Sequence, residues 1–239
     1  MQIIYFTLIG AVVGSLIAWL ARTLMDKSGV RARTACDACR RTLSWWEMIP
    51  IFSYLRLGGR CRTCGTEILI ADWAMELIGA ALFGIGAWRF TTHREFVWWI
   101  LLATTTMLMF YIDVRWSIVP RSFAILVAFI ALFAQITPQN TGVLLLTALL
   151  GSIFYFFLYT ISRGQWVGDG DVGLGFILGA AVGDPTRLGL ALLIAHVLGA
   201  IVAVTFIKTG IKKFGEALPM GVFMMPAMWI ILLWGGWAH

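Results

Sequence analysis

Asp113 and Asp171 lie at the ends of strongly apolar segments of this sequence. Asp113 closes one such segment, and Asp171 both completes the motif Gly168-Asp169-Gly170-Asp171 and opens another. Because a carboxylate at membrane depth costs about 2.5 to 3.5 kcal/mol on insertion scales, acids retained there usually have a function. Two aspartates can hydrolyse a peptide bond when one deprotonates a water and the other, protonated, hydrogen-bonds the carbonyl under attack. The pair therefore predicts an aspartyl protease dyad.

The predicted positions of the two acids along their helices make them unequal. Asp171 starts a helix, where the positive end of the helix dipole favours an anion, whereas Asp113 ends one, where the dipole disfavours it. Two carboxyls about 3 Å apart share a proton rather than ionise together. We therefore expect Asp171 to act first as the base and Asp113 as the proton donor. Gly168 and Gly170 are expected to let an extended substrate strand approach the backbone closely.

Composition identifies the elements that must position these acids. Of 239 residues, 60% are hydrophobic and only 13% are charged, and the mean hydropathy is +0.88. These values exclude an ordinary soluble domain and predict an all-α, polytopic integral membrane protein in a lipid bilayer. About eight transmembrane helices are predicted, at residues 1–21, 73–88, 96–112, 123–136, 142–161, 172–182, 188–207 and 218–237. The shortest, 172–182, is expected to line a cavity, where short helices are tolerated.

The basic residues predict the orientation of these spans. No Lys or Arg precedes Arg22, so we expect a retained first helix with its N-terminus outside. Fifteen basic residues then fall inside: Arg22, Lys27, Arg31, Arg33, Arg40, Arg41, Arg56, Arg60, Arg62, Arg115, Arg121, Arg163, Lys208, Lys212 and Lys213. Three fall outside: Arg89, Arg94 and Arg187. This bias places both acids on the cytoplasmic side, and it explains the net charge of +6 better than a nucleic-acid partner does.

The four cysteines form two Cys-x-x-Cys pairs in the one long polar stretch of the chain. Cys36 and Cys39 are followed, after 21 residues, by Cys61 and Cys64. This separation is slightly beyond the usual spacing of a four-cysteine zinc site, but the form is the same and predicts a structural zinc ion with each pair on a tight knuckle. The stretch has too little apolar content to fold alone, so metal binding is expected to supply much of its folding energy. The aromatic segment 45–52 between the pairs is expected to pack partly on the knuckles and partly on the membrane surface.

A redox role for the cysteines fits less well than a metal site. A redox pair, as in disulfide-exchanging membrane proteins, needs thiols on the oxidising face, and the predicted topology places them on the opposite one. Four unrelated cysteines would not repeat the same spacing. The predicted organisation is therefore a first transmembrane helix at residues 1–24, a cytoplasmic zinc loop at 25–72 and a transmembrane protease domain at 73–239.

Several other residues have simpler roles. Asp169, the variable residue of the motif, is expected to be a solvated loop acid. His196 is expected to be a hydrogen-bonded packing residue away from the cytoplasmic face. A close-packing helix face is predicted by glycines that recur every four residues, namely Gly175, Gly179 and Gly183.

The ordered motifs resemble those of bacterial type IV prepilin peptidases over nearly the whole chain. The similar segments are Gly14-Ser15, the two cysteine pairs around residues 45–55, Gly59-Arg60-Cys61, residues 74–77, Asp113 with Pro120, Gly168-x-Gly170-Asp171-Val172 and residues 219–223. The chain departs from the family pattern at Ala18, Arg121 and Gly173, where Asn, an acidic or amide residue, and Lys respectively are common.

The resemblance implies a bacterial inner-membrane aspartyl protease of the GxGD type that cuts the leader peptide from prepilins or pseudopilins on the cytoplasmic side. By motif match, Asp113 and Asp171 are the catalytic pair and the four cysteines are the zinc ligands. The residues near the substrate are then Gly168, Gly170, Pro219 and Gly221. Many members also methylate the new N-terminus with S-adenosylmethionine. The match favours Glu76 as a binding residue for substrate or methyl donor, over an ion-pair partner for an Arg of the cysteine loop.

A function of a different class is also open. A polytopic transporter or scaffold could bind an ion through its membrane acids and dock a partner through its zinc loop. That function predicts that Asp113 and Asp171 line a path across the bilayer, whereas the predicted topology places both at one side.

Overall fold

The computed structural model describes residues 1–25, 35–36, 38–39, 41–211, 213 and 218–235. In chain order its helices are α1 (Gln2–Met25), a 3₁₀ helix (Trp45–Met48), α2 (Phe52–Leu57), α3 (Ile70–Arg89), α4 (His93–Trp116), α5 (Arg121–Gln135), α6 (Thr141–Ser162), α7 (Asp169–Val182), α8 (Pro185–Lys208) and α9 (Gly221–Gly235). The described residues contain two isolated β-bridges and no strand. The predicted all-α fold is therefore confirmed.

Each predicted span corresponds to one helix. Five of these helices, α1, α3, α4, α6 and α8, are long and apolar enough to cross a membrane. The others, α5, α7 and α9, have 15, 14 and 15 residues, fewer than the roughly 20 that a straight span needs. The chain is thus a multi-pass membrane protein, and the count of eight spans stays a prediction. The end of the last predicted span and five counted charges lie outside the described residues: Lys27, Arg31, Arg33, Arg40 and Lys212.

The first of two compact units, Met1–Trp88, contains α1, the cysteine stretch and nearly all of α3. Glycines bring α1 against α3. A Cβ on Gly10 would lie 2.2 Å from the carbonyl oxygen of Gly79, and one on Gly14 would lie 2.1 Å from that of Met75. Helices in a membrane associate through such close packing, since lipid is as apolar as their side chains. The division of function at residues 24 and 72 stays a prediction.

The second unit, Arg89–His239, is organised around α7. This helix contacts α5, α6, α8 and α9, and most of its residues are buried. A Cβ on Gly175 would lie 2.3 Å from the carbonyl oxygen of Gly151, and one on Gly179 would lie 2.3 Å from that of Thr147. The predicted packing face is confirmed at these two glycines. It is wrong at Gly183, which follows the last residue of α7 and ends the helix with a left-handed φ of +69°.

Candidate active site and metal centre

Asp113 lies in the last turn of α4 and contacts the start of α9. Its side chain is buried, and Oδ2 accepts a hydrogen bond of 3.1 Å from the backbone N–H of Val222, 109 residues further along the chain. Gly221 leaves no room for a side chain here, since an added Cβ would lie 2.6 Å from that oxygen. The orientation of the Asp113 carboxyl is therefore fixed by the first residues of α9.

Asp171 is the third residue of α7 and caps its own helix. Its buried carboxyl accepts, at Oδ2, a hydrogen bond of 2.8 Å from the backbone N–H of Gly168, the residue before the helix. The first N–H groups of a helix have no partner within it. An acid at the third position satisfies one of them, so the local sequence fixes this carboxyl.

The two aspartates line one cavity of about 360 Å³. Their carboxyls are close enough to interact electrostatically. Three residues predicted to lie near the substrate also line it: Gly168, Gly170 and Pro219. The remaining wall was not predicted from the sequence: Ser117, Ile118, Val119, Gly164, Gln165, Trp166, Val167, Asp169 and Leu218. Most of these wall residues lie in connections between helices and carry no chemical signature, so only folding identifies them.

The expected difference between the helix ends at the two aspartates is not found. Asp113 does end α4, but it also lies at the start of α9, where the N–H of Val222 binds it. Asp171 accepts an N–H at the start of α7 in the same way. Both carboxyls thus lie at helix ends that favour an anion. The assignment of Asp171 as base and Asp113 as proton donor stays a prediction, without the support of the helix dipoles.

Asp169 is exposed, as predicted, but it does not lie in a loop. It is the first residue of α7, and its Oδ2 accepts a hydrogen bond of 2.7 Å from Nη2 of Arg121, at the start of α5. The side chains of Asp169 and Arg121 are 64% and 86% exposed. So exposed an ion pair contributes little to stability.

His196 packs as predicted, and it packs against a residue that was not predicted from the sequence. Its Nδ1 lies 2.7 Å from the carbonyl oxygen of Leu192, and its ring stacks on Tyr155 with the centroids 6.0 Å apart. Tyr155 is fully buried on α6, and its hydroxyl has no hydrogen-bond partner among the described residues. It interacts electrostatically with Asp171. Tyr155 is one of two tyrosines in this apolar span, and nothing in the sequence distinguishes it from Tyr159.

The two cysteine pairs fold into equivalent knuckles. The N–H of Cys36 donates to the carbonyl of Arg41 at 2.9 Å, and the N–H of Cys61 donates to that of Thr66 at 2.8 Å. Each knuckle is closed by one antiparallel bridge, Ala35 with Thr42 and Arg60 with Glu67. The repeated spacing therefore produces the same local geometry twice.

The four cysteine sulfurs converge. All lie within 4.8 Å of one another, and none is in a disulfide. Backbone N–H groups of Cys64 and Thr63 lower the pKa of Cys61 to about 6. At Cys39 a backbone hydrogen bond from Arg41 favours the thiolate, but partial desolvation and the neighbouring thiols outweigh it and raise the pKa to about 11. Four thiolates need a cation to share so small a space, so the donor set fits a metal ion.

Glu47 supports the first knuckle and was not predicted from the sequence. Its carboxylate accepts hydrogen bonds from two nitrogens of Arg41, at 3.0 and 2.8 Å, and from the N–H of Ser44 at 2.7 Å. The Arg41 guanidinium holds the pKa of Glu47 at about 2, well below its usual range. Because the Arg41 carbonyl also accepts from Cys36, Glu47 links the 3₁₀ helix to the knuckle. The signal that could have found it is Ser44-x-x-Glu47, the spacing of a capping box.

Glu76 lines a second cavity, of about 220 Å³, within the first unit. Its Oε2 accepts a hydrogen bond of 2.6 Å from the backbone N–H of Ile51. Ile51 has a φ of +64°, rare for a β-branched residue, so this contact holds a strained turn. Side chains of both charges line the same cavity: Arg22, Arg41, Arg62, Glu47, Glu67 and Asp72.

The aromatic segment 45–52 divides between packing and exposure. The guanidinium carbons of Arg56 and Arg62 lie 5.0 and 5.8 Å from the ring centre of Trp46, which therefore packs beside the second knuckle. Trp45 and Phe52 are 74% and 47% exposed. Packing on the knuckles is thus confirmed, and contact of the exposed rings with a membrane surface stays a prediction.

Two family models match the chain. The model of the bacterial peptidase A24 N-terminal domain matches residues 8–90, and that of the type IV leader peptidase family matches residues 100–204. Asp113 and Asp171 both fall within the second match. No solved structure matches the chain.

Curated relatives match over most of their length. A prepilin leader peptidase/N-methyltransferase of Pseudomonas aeruginosa is 30% identical over 213 residues, which cover 86% of this chain and 73% of that protein. The protein of the same description from Bacillus subtilis is 28% identical over 216 residues, covering 90% and 86%. One from Myxococcus xanthus is 30% identical over 208 residues, covering 84% and 62%. The chain belongs to the type IV leader peptidase family.

Proposed function

We propose that this membrane peptidase is an aspartyl endopeptidase that cleaves the leader peptide from type IV prepilins or pseudopilins, with Asp113 and Asp171 as its catalytic pair. One observation carries the proposal. Two buried carboxyls, from helices far apart in sequence, line a single cavity and are each held by a backbone N–H at a helix start. Paired acids of this kind have the chemistry that peptide hydrolysis requires.

The proposed reaction uses one shared proton. The ionised aspartate removes a proton from water as the water oxygen attacks the peptide carbonyl carbon, and the protonated aspartate hydrogen-bonds the carbonyl oxygen. The proton taken from water then passes to the leaving amine as the C–N bond breaks. In both carboxyls Oδ2 is engaged by a backbone N–H, so Oδ1 is the oxygen assigned to the water and the carbonyl.

Cleavage is assigned to the cytoplasmic face of a bacterial inner membrane. The support is the distribution of Lys and Arg along the chain, which favours an external N-terminus. With that orientation the cysteine stretch and both aspartates share the cytoplasmic side, where thiols stay reduced.

Zinc is the metal proposed for the cysteine cluster, held by Cys36, Cys39, Cys61 and Cys64. Four converging sulfurs without an open ligand position are the donor set of structural zinc sites. The ion would offset part of the negative charge of the thiolates and hold the two knuckles together.

Methyl transfer is assigned to the first unit, since the relatives' descriptions include an N-methyltransferase. S-adenosylmethionine carries a carboxylate, an ammonium and a sulfonium, and the cavity at Glu76 has side chains of both signs to match them. When bound it would supply the methyl group, at a site lined by Glu76, by Arg62 and by the ion pair of Arg22 with Asp72. Glu76→Gln should weaken its binding, measured by calorimetry, and leave leader cleavage intact. Unchanged binding would remove Glu76 from this role.

The decisive experiment for cleavage uses purified protein and a leader-bearing prepilin. Asp113→Asn and Asp171→Asn should each abolish cleavage, because a neutral amide at either position removes the base or the shared proton. Glu95→Gln, at the other end of α4, is the matched control and should cleave normally. Retained cleavage in either aspartate variant would end the assignment of that residue.

A further inference from the structure

A groove between α5 and α7 adjoins the proposed catalytic cavity. It has a volume of about 350 Å³, and its walls include Ala124, Ile125 and Ala128 of α5, and Gly173 and Phe176 of α7. We call it the α5–α7 groove. Its lining is more apolar than that of the catalytic cavity.

The groove and the catalytic cavity are adjacent. Three residues line both of them, namely Val119, Asp169 and Gly170. Val119 covers Gly170 so closely that an added Cβ there would lie 2.9 Å from the Val119 Cβ. Val119, Asp169 and Gly170 thus form the edge between the two cavities, and a chain with its scissile bond near Asp171 would reach the groove past this edge.

Small residues shape the groove for another polypeptide. Ala124 and Ala128 lie one turn apart on the same face of α5, and a Cβ added to Gly173 would meet nothing within 4 Å. The backbone of α7 is thus bare at Gly173, with open space in front of it. Small residues on membrane helices permit close approach of a second chain.

An exposed ion pair lies at the polar end of the groove, and either of its partners can pair with another group instead. Arg121 lines the groove together with its partner Asp169, which also lines the catalytic cavity. Because the pair is highly exposed, it contributes little to stability and a substrate group can replace one partner. The charges therefore lie where the two cavities meet.

We propose that the α5–α7 groove binds the apolar segment of the substrate that adjoins the scissile bond, and that Gly173 sets the size of side chain it accepts. This inference rests on the proposed function, because it takes Asp113 and Asp171 as the site of cleavage. The occupant follows from the edge that the two cavities share and from the more apolar lining of the groove. Since lipid is as apolar as the groove, selectivity comes from shape and close packing.

Gly173→Leu tests the groove, with Gly189→Leu as its matched control. Gly189 lies on α8, and a Cβ there also meets nothing within 4 Å, so both variants add the same side chain to an open helix surface. Each is assayed on full-length prepilin and on a prepilin peptide truncated within its apolar segment. Thermal unfolding in detergent checks that both variants are folded.

Gly173→Leu should lower kcat/KM for the full-length prepilin about tenfold or more, the effect of a few extra methylenes in an apolar site. It should change cleavage of the truncated peptide by less than about threefold, and Gly189→Leu should change neither. Equal losses on both substrates, no loss on the full-length substrate, or an equal loss in Gly189→Leu would each overturn the proposal. These outcomes are distinct from failure of the proposed function, which is retained cleavage in Asp113→Asn or Asp171→Asn.

Photo-crosslinking gives a second measurement that does not depend on turnover. A benzophenone side chain placed in the apolar segment of the prepilin is irradiated with the Asp113→Asn protein, and the linked peptides are identified by mass spectrometry. Links to residues 124–128 or 173–176 support the groove. Links confined to other helices would overturn it.

Discussion

The cysteine centre and the aspartate site both gather polar side chains at one place, but they do so over different distances along the chain. Each knuckle is closed by a hydrogen bond between residues five apart, Cys36 to Arg41 and Cys61 to Thr66. Asp113 instead depends on an N–H 109 residues away. Local spacing therefore suffices for the cysteines, whereas the aspartates need the packed bundle.

The two regions also differ in what holds them together. The cysteine stretch has exposed aromatic rings and few buried apolar residues among those described, so its stability is expected to depend on a bound cation. The bundle around α7 is held by backbone contacts at glycines, where no side chain fits. Removal of the cation should therefore unfold the first region, whereas a side chain added at a packed glycine should destabilise the second.

Removal of the metal should give the largest effect and confine it to the first unit. A chelator, or Cys61→Ser, should abolish protection from hydrogen exchange over residues 41–69, since structural zinc supplies about 10 kcal/mol or more of folding free energy in small domains. Protection of α6 and α7 should not change. Loss of protection throughout the second unit would show that the two regions are not independent.

The pH dependence of metal binding tests whether thiolates hold the ion in the first region. Protonated thiols cannot bind the ion, so affinity should fall as the pH falls and should fall more steeply below about 6, where Cys61 also becomes protonated. Titration with zinc at several pH values measures this. An affinity that rises on acidification would contradict a thiolate site.

A steric change at the α6–α7 contact should come next in size. Gly179→Ala places a Cβ 2.3 Å from a backbone carbonyl oxygen of α6, which should destabilise the second unit by about 3 kcal/mol because the backbone must move. Gly189→Ala, on an open helix surface, is the control. Thermal unfolding in detergent compares them. Equal midpoints would show that the contact is less tight than the structure indicates.

Gly221→Ala should displace the carboxyl of Asp113 and leave that of Asp171 in place. Its Cβ would come to 2.6 Å from Oδ2 of Asp113, so the carboxyl must move while that of Asp171, capped locally, stays in place. A displacement of this kind should lower kcat about a hundredfold. Gly142→Ala, where a Cβ meets nothing within 4 Å, is the control. Full activity in Gly221→Ala would mean that α9 does not position Asp113.

Glu47→Gln should have the smallest effect. Loss of the charge weakens the two hydrogen bonds from Arg41, but Gln keeps an acceptor oxygen and the Arg41 side chain is 27% exposed, so the first knuckle should be cut only a few-fold faster by protease at pH 7. The Glu47 pKa lies below its unfolded value, so the difference should be full above pH 4.5 and vanish as the pH falls through about 2. Exposed Glu67→Gln is the control. A larger effect in that control would remove the role of Glu47.

Much of the molecule was determined by the sequence alone. The apolar segments predicted the long helices, because a membrane span can be identified from the length and apolar content of its own segment alone. The repeated Cys-x-x-Cys spacing predicted two knuckles whose sulfurs converge. The acid of Gly168-x-Gly170-Asp171 was placed correctly at a helix start, since its partner lies three residues away.

Only the tertiary structure decided how the second aspartate is held and where a substrate can lie. Asp113 lies at the end of α4, where the helix dipole disfavours an anion. The start of α9 compensates for this with the N–H of Val222, and no pattern in the sequence predicts that contact. Likewise Gly173 is one glycine among 25 until α5 is placed beside it. Periodicity and spacing reflect interactions between residues that are close in sequence. The electrostatic field and the free space at a site depend instead on the elements that pack against it, which are often distant in sequence.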